Sequence, residues 1–504
     1  MVGREGPVRR ARRLGIDTGQ EAVVYLHRDS SVVRSEGFRS QARIEVRAGD
    51  RVVLATLGVV TDSLLALEEA GLSEAAWSRL ALTGGEPLTF AHPAPVESLG
   101  RVRAKVYGRS LGSADFAAIV GDVAAGRYSD IEIATFLAAC AGGRLSDDEV
   151  VALTCAMTAA GERLRWPGRP VLDKHSVGGL PGNRTSLLLV PIVAAAGLLM
   201  PKTSSRAITS PAGTADTMEM LAPVDLDLPA MRRVVEREGG CLVWGGRARL
   251  SPADEVLIRV ERPLDLDSPA QLVASVLSKK AAAGVTHVVI DVPVGSTAKI
   301  RTLAAADRLT ILLRTVGAAI GLEVLPVLTN GGQPIGRGIG PALEARDALA
   351  VLAGSPDAPA DLRERAVLLA GYLLELGGAA ATGSGQALAR TILDDGRARR
   401  KFEAICEAQG GRRTPPTAPF TRAVTAARGG QVVLIDNRRL ARVAKLAGAP
   451  RDPAAGLELL VRLGDVVAPG QPLFTVHAGS TGELEYGLAY AGSGDPIVTL
   501  RGDG

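Results

Sequence analysis

The chain has little charge of one sign. Its 58 Lys and Arg residues stand against 54 Asp and Glu, a net charge of +4 over 504 residues. No dense basic stripe runs along any segment, which argues against nucleic acid as a partner. Long apolar runs are missing as well. The longest, Leu187 to Met200, contains Pro191 and falls short of the ~20 residues of a membrane span, so a buried helix is expected and no membrane partner. Cysteine is scarce and scattered. Cys140, Cys155, Cys241 and Cys406 lack zinc-ligand spacing and lie in apolar or helical contexts, which predicts buried reduced thiols and a cytoplasmic location. No Cys/His/Asp cluster calls for a metal. Arg9, Arg10, Arg12 and Arg13 are followed by Gly-Ile-Asp-Thr-Gly rather than an apolar stretch. They therefore read as a solvated tail and not as a signal peptide.

What remains is an ordinary globular balance, 46% apolar and 22% charged, in a chain long enough for about three domains. Glu21–His27, Ala42–Arg47 and Arg51–Val60 read as strands and Glu68–Leu82 as a helix, giving a β-rich N-terminal domain over 1–92 that ends at a His92-Pro-Ala-Pro linker. A strand-rich domain without catalytic motifs suggests pairing of strand edges with other chains, hence an assembly role. Asp115 to Glu162 turns helical, with capping boxes at Ser129-Asp-Ile-Glu132 and Ser146-Asp-Asp-Glu149. From about 167 strands and helices alternate: a strand over Arg169–His175, a helix over Thr185–Leu199, and strands at Thr286–Val292 and Glu323–Leu328. That is the pattern of a mainly parallel sheet with ligands at the carboxyl ends of its strands. Gly410-Gly-Arg-Arg-Thr-Pro-Pro is a second linker, and 418–504 form a smaller C-terminal domain.

Three segments carry chemistry. Asp173-Lys-His-Ser-Val-Gly-Gly-Leu-Pro-Gly-Asn-Arg-Thr-Ser186 stands between a strand and a helix. Its glycines let backbone N–H groups approach an anion at a positive helix terminus, with Lys174 adding a full charge. It is neither a Walker A loop nor a G-x-G-x-x-G turn. A tight structural turn with a local Asp173–Lys174 salt bridge is the alternative. Lys202 to Thr214 sets short hydroxyls around Arg206, a candidate for bidentate anion or base recognition; a polar surface loop also fits it. Asp265 to Lys280 places Ser268 and Pro269 at a helix start, with Ser275 and Lys279 on one face. Asp291 to Lys299 follows a strand toward the same cleft. His27, His92, His287 and His477 lack companions at catalytic spacing and are expected to be structural.

Together the segments Lys174-His-Ser-Val-Gly-Gly179, Ser204-Ser-Arg206 through Gly213-Thr214, and Ala274-Ser-Val-Leu-Ser-Lys-Lys280 resemble the thymidine phosphorylase family in order and spacing. Glu407-Ala-Gln-Gly-Gly411 looks similar too. The Ser204-Ser-Arg-Ala-Ile-Thr-Ser-Pro-Ala-Gly-Thr214 loop, the inserted residue after the glycines, Val260 near the place of a pyrimidine-binding arginine, and the extra N-terminal domain resemble the AMP phosphorylase branch. The resemblance implies a nucleoside phosphorylase-like α/β fold: a helical domain (101–163 and 256–285), an α/β phosphate-binding domain (164–255 and 286–410), and α+β over 418–504. It implies phosphorolysis of a nucleoside monophosphate to free base and ribose 1,5-bisphosphate, with pyrimidine nucleosides as the alternative substrate. A phosphoribosyltransferase and a non-catalytic nucleotide-binding scaffold are the remaining alternatives.

By position, the resemblance implies Asp267 as proton donor with His175 in the catalytic set. It implies Lys174, Ser176, Ser186, Ser204 and Thr214 around the attacking phosphate. Gly179, Ser205, Arg206, Ala207, Ile208, Thr209, Ser210, Thr214, Ser275, Lys279 and Lys299 would hold the nucleotide. No cofactor is implied, inorganic phosphate being a co-substrate, and family members assemble at least as homodimers. The site is expected between the helical and α/β domains.

Overall fold

The computed structural model describes residues 8–207, 210–246, 250–264, 266 and 268–502. They fall into two compact units, residues 1–160 with 252–268, and 161–251 with 269–504.

In the first unit β1 (Arg9–Arg13), β2 (Val23–His27), β3 (Arg43–Ala48), β4 (Arg51–Val60), β5 (Glu69–Leu72) and β6 (Pro87–Ala91) close into a barrel in the order β1-β5-β2-β4-β3-β6. Short helices α1 (Ser31–Glu36) and α2 (Glu74–Arg79) accompany it. Two expectations fail here. The arginine-rich start is strand β1, not a tail: Arg9 and Ala11 face inward, and the Arg9 guanidinium reaches Ser31 Oγ at 2.5 Å and the Val8 carbonyl at 2.7 Å. The helix expected over Glu68–Leu82 is strand β5 followed by α2, because β5 is the staple between β1 and β2. Ser73 then restarts the chain as a helix by accepting the Ala76 N–H at 3.3 Å. Closure also removes the premise of the edge-pairing argument, since a closed barrel offers no open strand edge.

The helices α3 (Ser98–Val106), α4 (Ser113–Ala124), α5 (Asp130–Cys140), α6 (Asp147–Ala159) and α10 (Pro252–Leu264) complete this unit. Both capping boxes form: Ser129 N donates to Glu132 at 2.7 Å and Ser146 N to Glu149 at 3.0 Å, and each serine hydroxyl accepts in return. Arg259 of α10 holds Asp130 of α5 bidentately at 2.5 and 2.7 Å. Cys155 is exposed on α6, against expectation; the other three cysteines are buried. Burial raises the thiols of Cys140 and Cys406 to about 12.

The second unit is built on β7 (Leu172–Ser176), α7 (Ser186–Ala195), β8 (Met200–Ser204), α8 (Thr214–Glu219), α9 (Leu228–Glu238), β9 (Gly240–Trp244), α11 (Pro269–Ala282), β10 (His287–Val294), α12 (Leu303–Ala319) and β11 (Glu323–Asn330). Strands β11, β10 and β7 pair in parallel, as do β8 and β9, and a bridge between Val171 and Leu199 joins the two sets. The helix expected to run to Leu199 ends at Ala195, since β8 starts five residues on. Asp291 lies inside β10 rather than after it. α11, expected within the helical domain, groups with this unit.

Every residue of α7 from Ser186 to Ala194 is buried. Its apolar surface packs among α13 (Pro341–Ala353), α14 (Ala360–Leu376), α15 (Gly385–Asp394) and α16 (Arg397–Ala408). The two-residue β12 (Gly338–Ile339) begins the link to the C-terminal part: β13 (Phe420–Thr425), β14 (Gly430–Ile435), α17 (Asn437–Leu446), β15 (Gly456–Leu459), β16 (Val466–Val467), β17 (Pro472–Ala478), α18 (Thr481–Ala491) and β18 (Val498–Arg501). β12 pairs with β15 in the sheet β12-β15-β17-β13, and β16-β14-β18 form another. Among the described residues no helix is long and apolar enough to cross a membrane.

Candidate active site

Alternation along β7 sends Asp173 and His175 to one face and Lys174 and Ser176 to the other. Asp173 is fully buried between Lys280 Nζ at 2.6 Å and Lys202 Nζ at 3.2 Å, and accepts the Lys174 N–H at 2.6 Å. The carboxylate thus pairs with two distant lysines and not with the Lys174 side chain. Burial alone would raise its pKa, but the two ammonium groups hold it below the ordinary range. The same burial lowers Lys280, against the pull of Asp173. His175 is driven well below its usual value by burial and by Lys280, Lys202, Lys279 and Lys174, so its imidazole is neutral.

On the other face Lys174 Nζ donates to Thr185 Oγ1 at 2.7 Å and lies 3.9 Å from Asp291 Oδ2. Burial lowers its pKa to about 8, with Arg365 and Arg184 adding to the effect. Asp291 is fully buried and accepts from Asn183 Nδ2 at 2.7 Å and Thr329 Oγ1 at 2.6 Å, while Arg365 approaches at 3.5 Å. Asn183 also donates to Ser176 Oγ at 3.2 Å.

Between strand and helix, Gly178, Gly179 and Gly182 have φ of 90°, 77° and 74°, left-handed values that favour glycine. A Cβ at Gly179 would lie 2.3 Å from the Lys299 amide nitrogen, and one at Gly182 would lie 2.0 Å from the Ile335 carbonyl. Glycine is therefore required for the loop to lie against Lys299 at one point and Ile335 at the other. The loop leads into α7, whose terminus carries roughly half a positive charge.

Lys174, Ser176, Ser186, Gly179 and Lys299 are thus gathered around one loop. Ser275 accepts from Lys279 Nζ at 3.2 Å on α11, the helix that sends Lys280 to Asp173. Ser204 ends β8 with its hydroxyl on the Val243 carbonyl at 3.3 Å. Ser205 is exposed. Arg206, expected to face substrate, is engaged by Glu219 at 2.5 and 3.1 Å and Asp216 at 3.2 Å, and stacks over Trp244 at 5.2 Å. Asp216 accepts the Ala207 N–H at 2.6 Å and the Gly213 N–H at 2.8 Å, closing the segment on itself. Ser210 donates to the Ala212 carbonyl at 2.7 Å, and Thr214 opens α8. Asp267, Ile208 and Thr209 lie outside the described residues.

Sequence reasoning passed over Asn183, Arg184 and Thr185, although all three stand inside the quoted motif. It also missed Thr329, Glu344 and Arg365, whose partners are remote in the chain. Among the described residues no three His, Cys, Asp or Glu side chains are grouped to hold a metal ion.

The fold and the cationic loop are those of a pentosyl-transferring enzyme, and comparison with known proteins agrees. Residues 168–399 match the family model described as "Glycosyl transferase family, a/b domain", and residues 102–161 its "helical bundle domain". Residues 432–490 match "Pyrimidine nucleoside phosphorylase C-terminal domain". A protein of Polaromonas sp. described as "Putative thymidine phosphorylase" is 63% identical over 494 residues, 98% of this chain and 97% of that one. One of Maricaulis maris with the same description is 56% identical over 97% of this chain and 95% of its own. The chain belongs to the thymidine phosphorylase family. The crystal structure of anthranilate phosphoribosyltransferase from Thermus thermophilus superimposes with a TM-score of 0.52 at 22% identity, covering 61% of this chain and 98% of that one; what the two share is the fold.

Proposed function

We propose that this glycosyltransferase splits a nucleoside 5′-monophosphate, AMP first among them, with inorganic phosphate, releasing free base and ribose 1,5-bisphosphate. The observation that carries this reading is one glycine loop held between two lysine-bearing segments. Lys174 Nζ lies on its buried side, against the helix terminus, and the backbone of Lys299 closes on Gly179 from the other side. The attacking phosphate would use the Lys174 side, and the 5′-phosphate the segment that carries Lys299. Val260 supports it too: near the place where thymidine phosphorylases use an arginine against a pyrimidine, this chain has a buried valine without a donor.

In this reading a phosphate oxygen, held by Lys174, Ser176, Ser186 and the loop, forms the new bond to the anomeric carbon as the C–N bond breaks. The electron pair leaves with the base, and Asp267 donates the proton that neutralises it. Neutral His175 acts as a hydrogen-bonding group. Positioning provides much of the rate, worth up to ~7–11 kcal/mol, and the lysines provide the charge that a metal ion would otherwise supply. The deciding assay compares AMP, CMP, uridine and thymidine with phosphate, in EDTA, and identifies the sugar product. Turnover of AMP to ribose 1,5-bisphosphate is expected; turnover of thymidine or uridine alone would transfer the chain to the pyrimidine nucleoside reading.

A further inference from the structure

Consecutive side chains at 183, 184 and 185 point to opposite sides of the chain. Asn183 and Thr185 face the Lys174/Asp291 floor. Arg184, between them, turns away and is buried in a separate place. Its Nε forms an ion pair with Glu344 of α13 and donates to Thr217 Oγ1 at 3.2 Å. Its Nη2 donates to the Ala212 carbonyl, and its Nη1 lies 3.4 Å from the Asn183 carbonyl. One guanidinium therefore meets the glycine-rich loop, the segment ending at α8, and the start of α13.

Each partner is fixed in turn. Thr217 donates to Glu344 Oε2 at 3.1 Å, and Glu344 Oε1 accepts the Gly340 N–H at 3.3 Å. The 205–213 segment is closed on itself by Asp216, and a Cβ on Gly213 would lie 2.6 Å from the Arg206 carbonyl carbon. Asp216 thus ties Ala207 to Gly213, and Arg184 holds the same region at Ala212 and Thr217. The described contacts of the guanidinium are to protein groups other than the Lys174 side chain, which feels it only as a like charge at a distance.

We propose that Arg184, seated on Glu344, is a positioning residue that sets the register of the phosphate loop against the 205–217 segment, so that both substrates find their contacts at once. The inference rests on the site reading above, in which Lys174, Ser176 and Ser186 hold the phosphate, and on the resemblance that adds Thr214 to them. Arginine suits the task because its planar fork reaches several acceptors from one rigid group, where lysine presents a point charge. Burial, partly opposed by Arg184, raises Glu344 to about 7.

The test uses the full chain. The double variant Arg184→Met/Glu344→Leu removes both charges together, which avoids leaving one buried and unpaired. It is expected to melt cooperatively, and the KM for inorganic phosphate and for AMP (or thymidine, whichever the parent turns over) should each rise ~10-fold or more, with kcat changed far less. Arg184→Lys, which keeps the charge but loses the fork, should raise both KM values by a smaller factor. A folded double variant with the parent's KM values would overturn the proposal, because a purely structural strut alters melting alone. If the double variant does not fold, parent KM values in Arg184→Lys overturn it equally. Lys174→Ala, run alongside, separates the two ideas: unchanged phosphate affinity there would remove the site reading itself, whatever Arg184 does.

Discussion

Lys105 in the first unit and Lys174 in the second are both buried lysines beside carboxylates, yet their surroundings differ in kind. Lys105 Nζ donates to Glu149 at 2.6 Å and to the Arg144 carbonyl at 2.8 Å, and Glu149 also accepts the N–H groups of Leu111 and Ser146 at 2.8 and 3.0 Å. One cation meets one anion and every partner is on hand. Burial would raise Glu149, but Lys105 and the two amides hold it below the usual range. Around β7, by contrast, three lysines, Lys174, Lys202 and Lys280, share two carboxylates among the described residues, Asp173 and Asp291, and Lys174 is depressed to about 8. A balanced buried pair is a structural joint. An excess of buried cations is a cost carried for an anion that arrives later.

The sharpest way to test that distinction is to remove one lysine from each place. Lys105→Met should cost about 3–5 kcal/mol of stability, because it strands Glu149 in the interior, while the folded fraction keeps parental kinetics. Denaturant melts with activity corrected for folded protein would read both, and a kinetic defect in the folded fraction would erase the contrast. Lys174→Ala should do the reverse. The kcat/KM for phosphate should fall ~10²-fold or more, the worth of a charge-assisted contact, with stability in phosphate-free buffer unchanged or higher. A large loss of phosphate-free stability would make Lys174 another joint.

Phosphate itself sharpens the comparison further. At 100 times its Kd it should stabilise the parent by about 2.7 kcal/mol and do so in Lys105→Met as well, but not in Lys174→Ala. Calorimetric melts with and without phosphate decide, and equal protection of all three would place the anion elsewhere.

The smallest effect is in pH. Lys174 has a folded pKa of about 8 against roughly 10.4 unfolded, so the unfolded chain binds the extra proton and phosphate-free stability rises across that window. Phosphate affinity should move the other way, the KM rising toward tenfold per pH unit above about 8 as the ammonium is lost. Glu149 gives stability the same slope with pH in a much more acidic window. Its depressed pKa contributes stability that is present above roughly pH 4.3 and is lost as the solution is acidified. A phosphate KM that stays flat from pH 8 to 9.5 would dissociate Lys174 from the anion.

Much of this was readable before folding, because local chemistry dictates it. The capping boxes, the strand into β7, the glycine loop and the buried helix after it all depend on residues within a few positions of each other. What escaped depends on partners far along the chain. Nothing around Glu344 or Arg365 announces that one will meet Arg184 and the other Asp291. Nor does Arg9 look like a core residue until β5 and β6 close the barrel around it. Arg206 shows the converse limit. Its hydroxyl-rich setting suggested a substrate contact, and the acidic residues that engage it, Asp216 and Glu219, stand ten and more positions on.

The helix that receives the phosphate loop has no face toward water. Its hydrogen-bonded amides beyond the first turn are expected to exchange slowly, whereas exposed Ser205 and its half-buried neighbours can breathe separately. Hydrogen exchange should therefore find the anion-binding terminus attached to a slow-opening segment of the chain. Its geometry is then complete before any substrate arrives, and any waiting time between binding and turnover belongs to the faster loops around it.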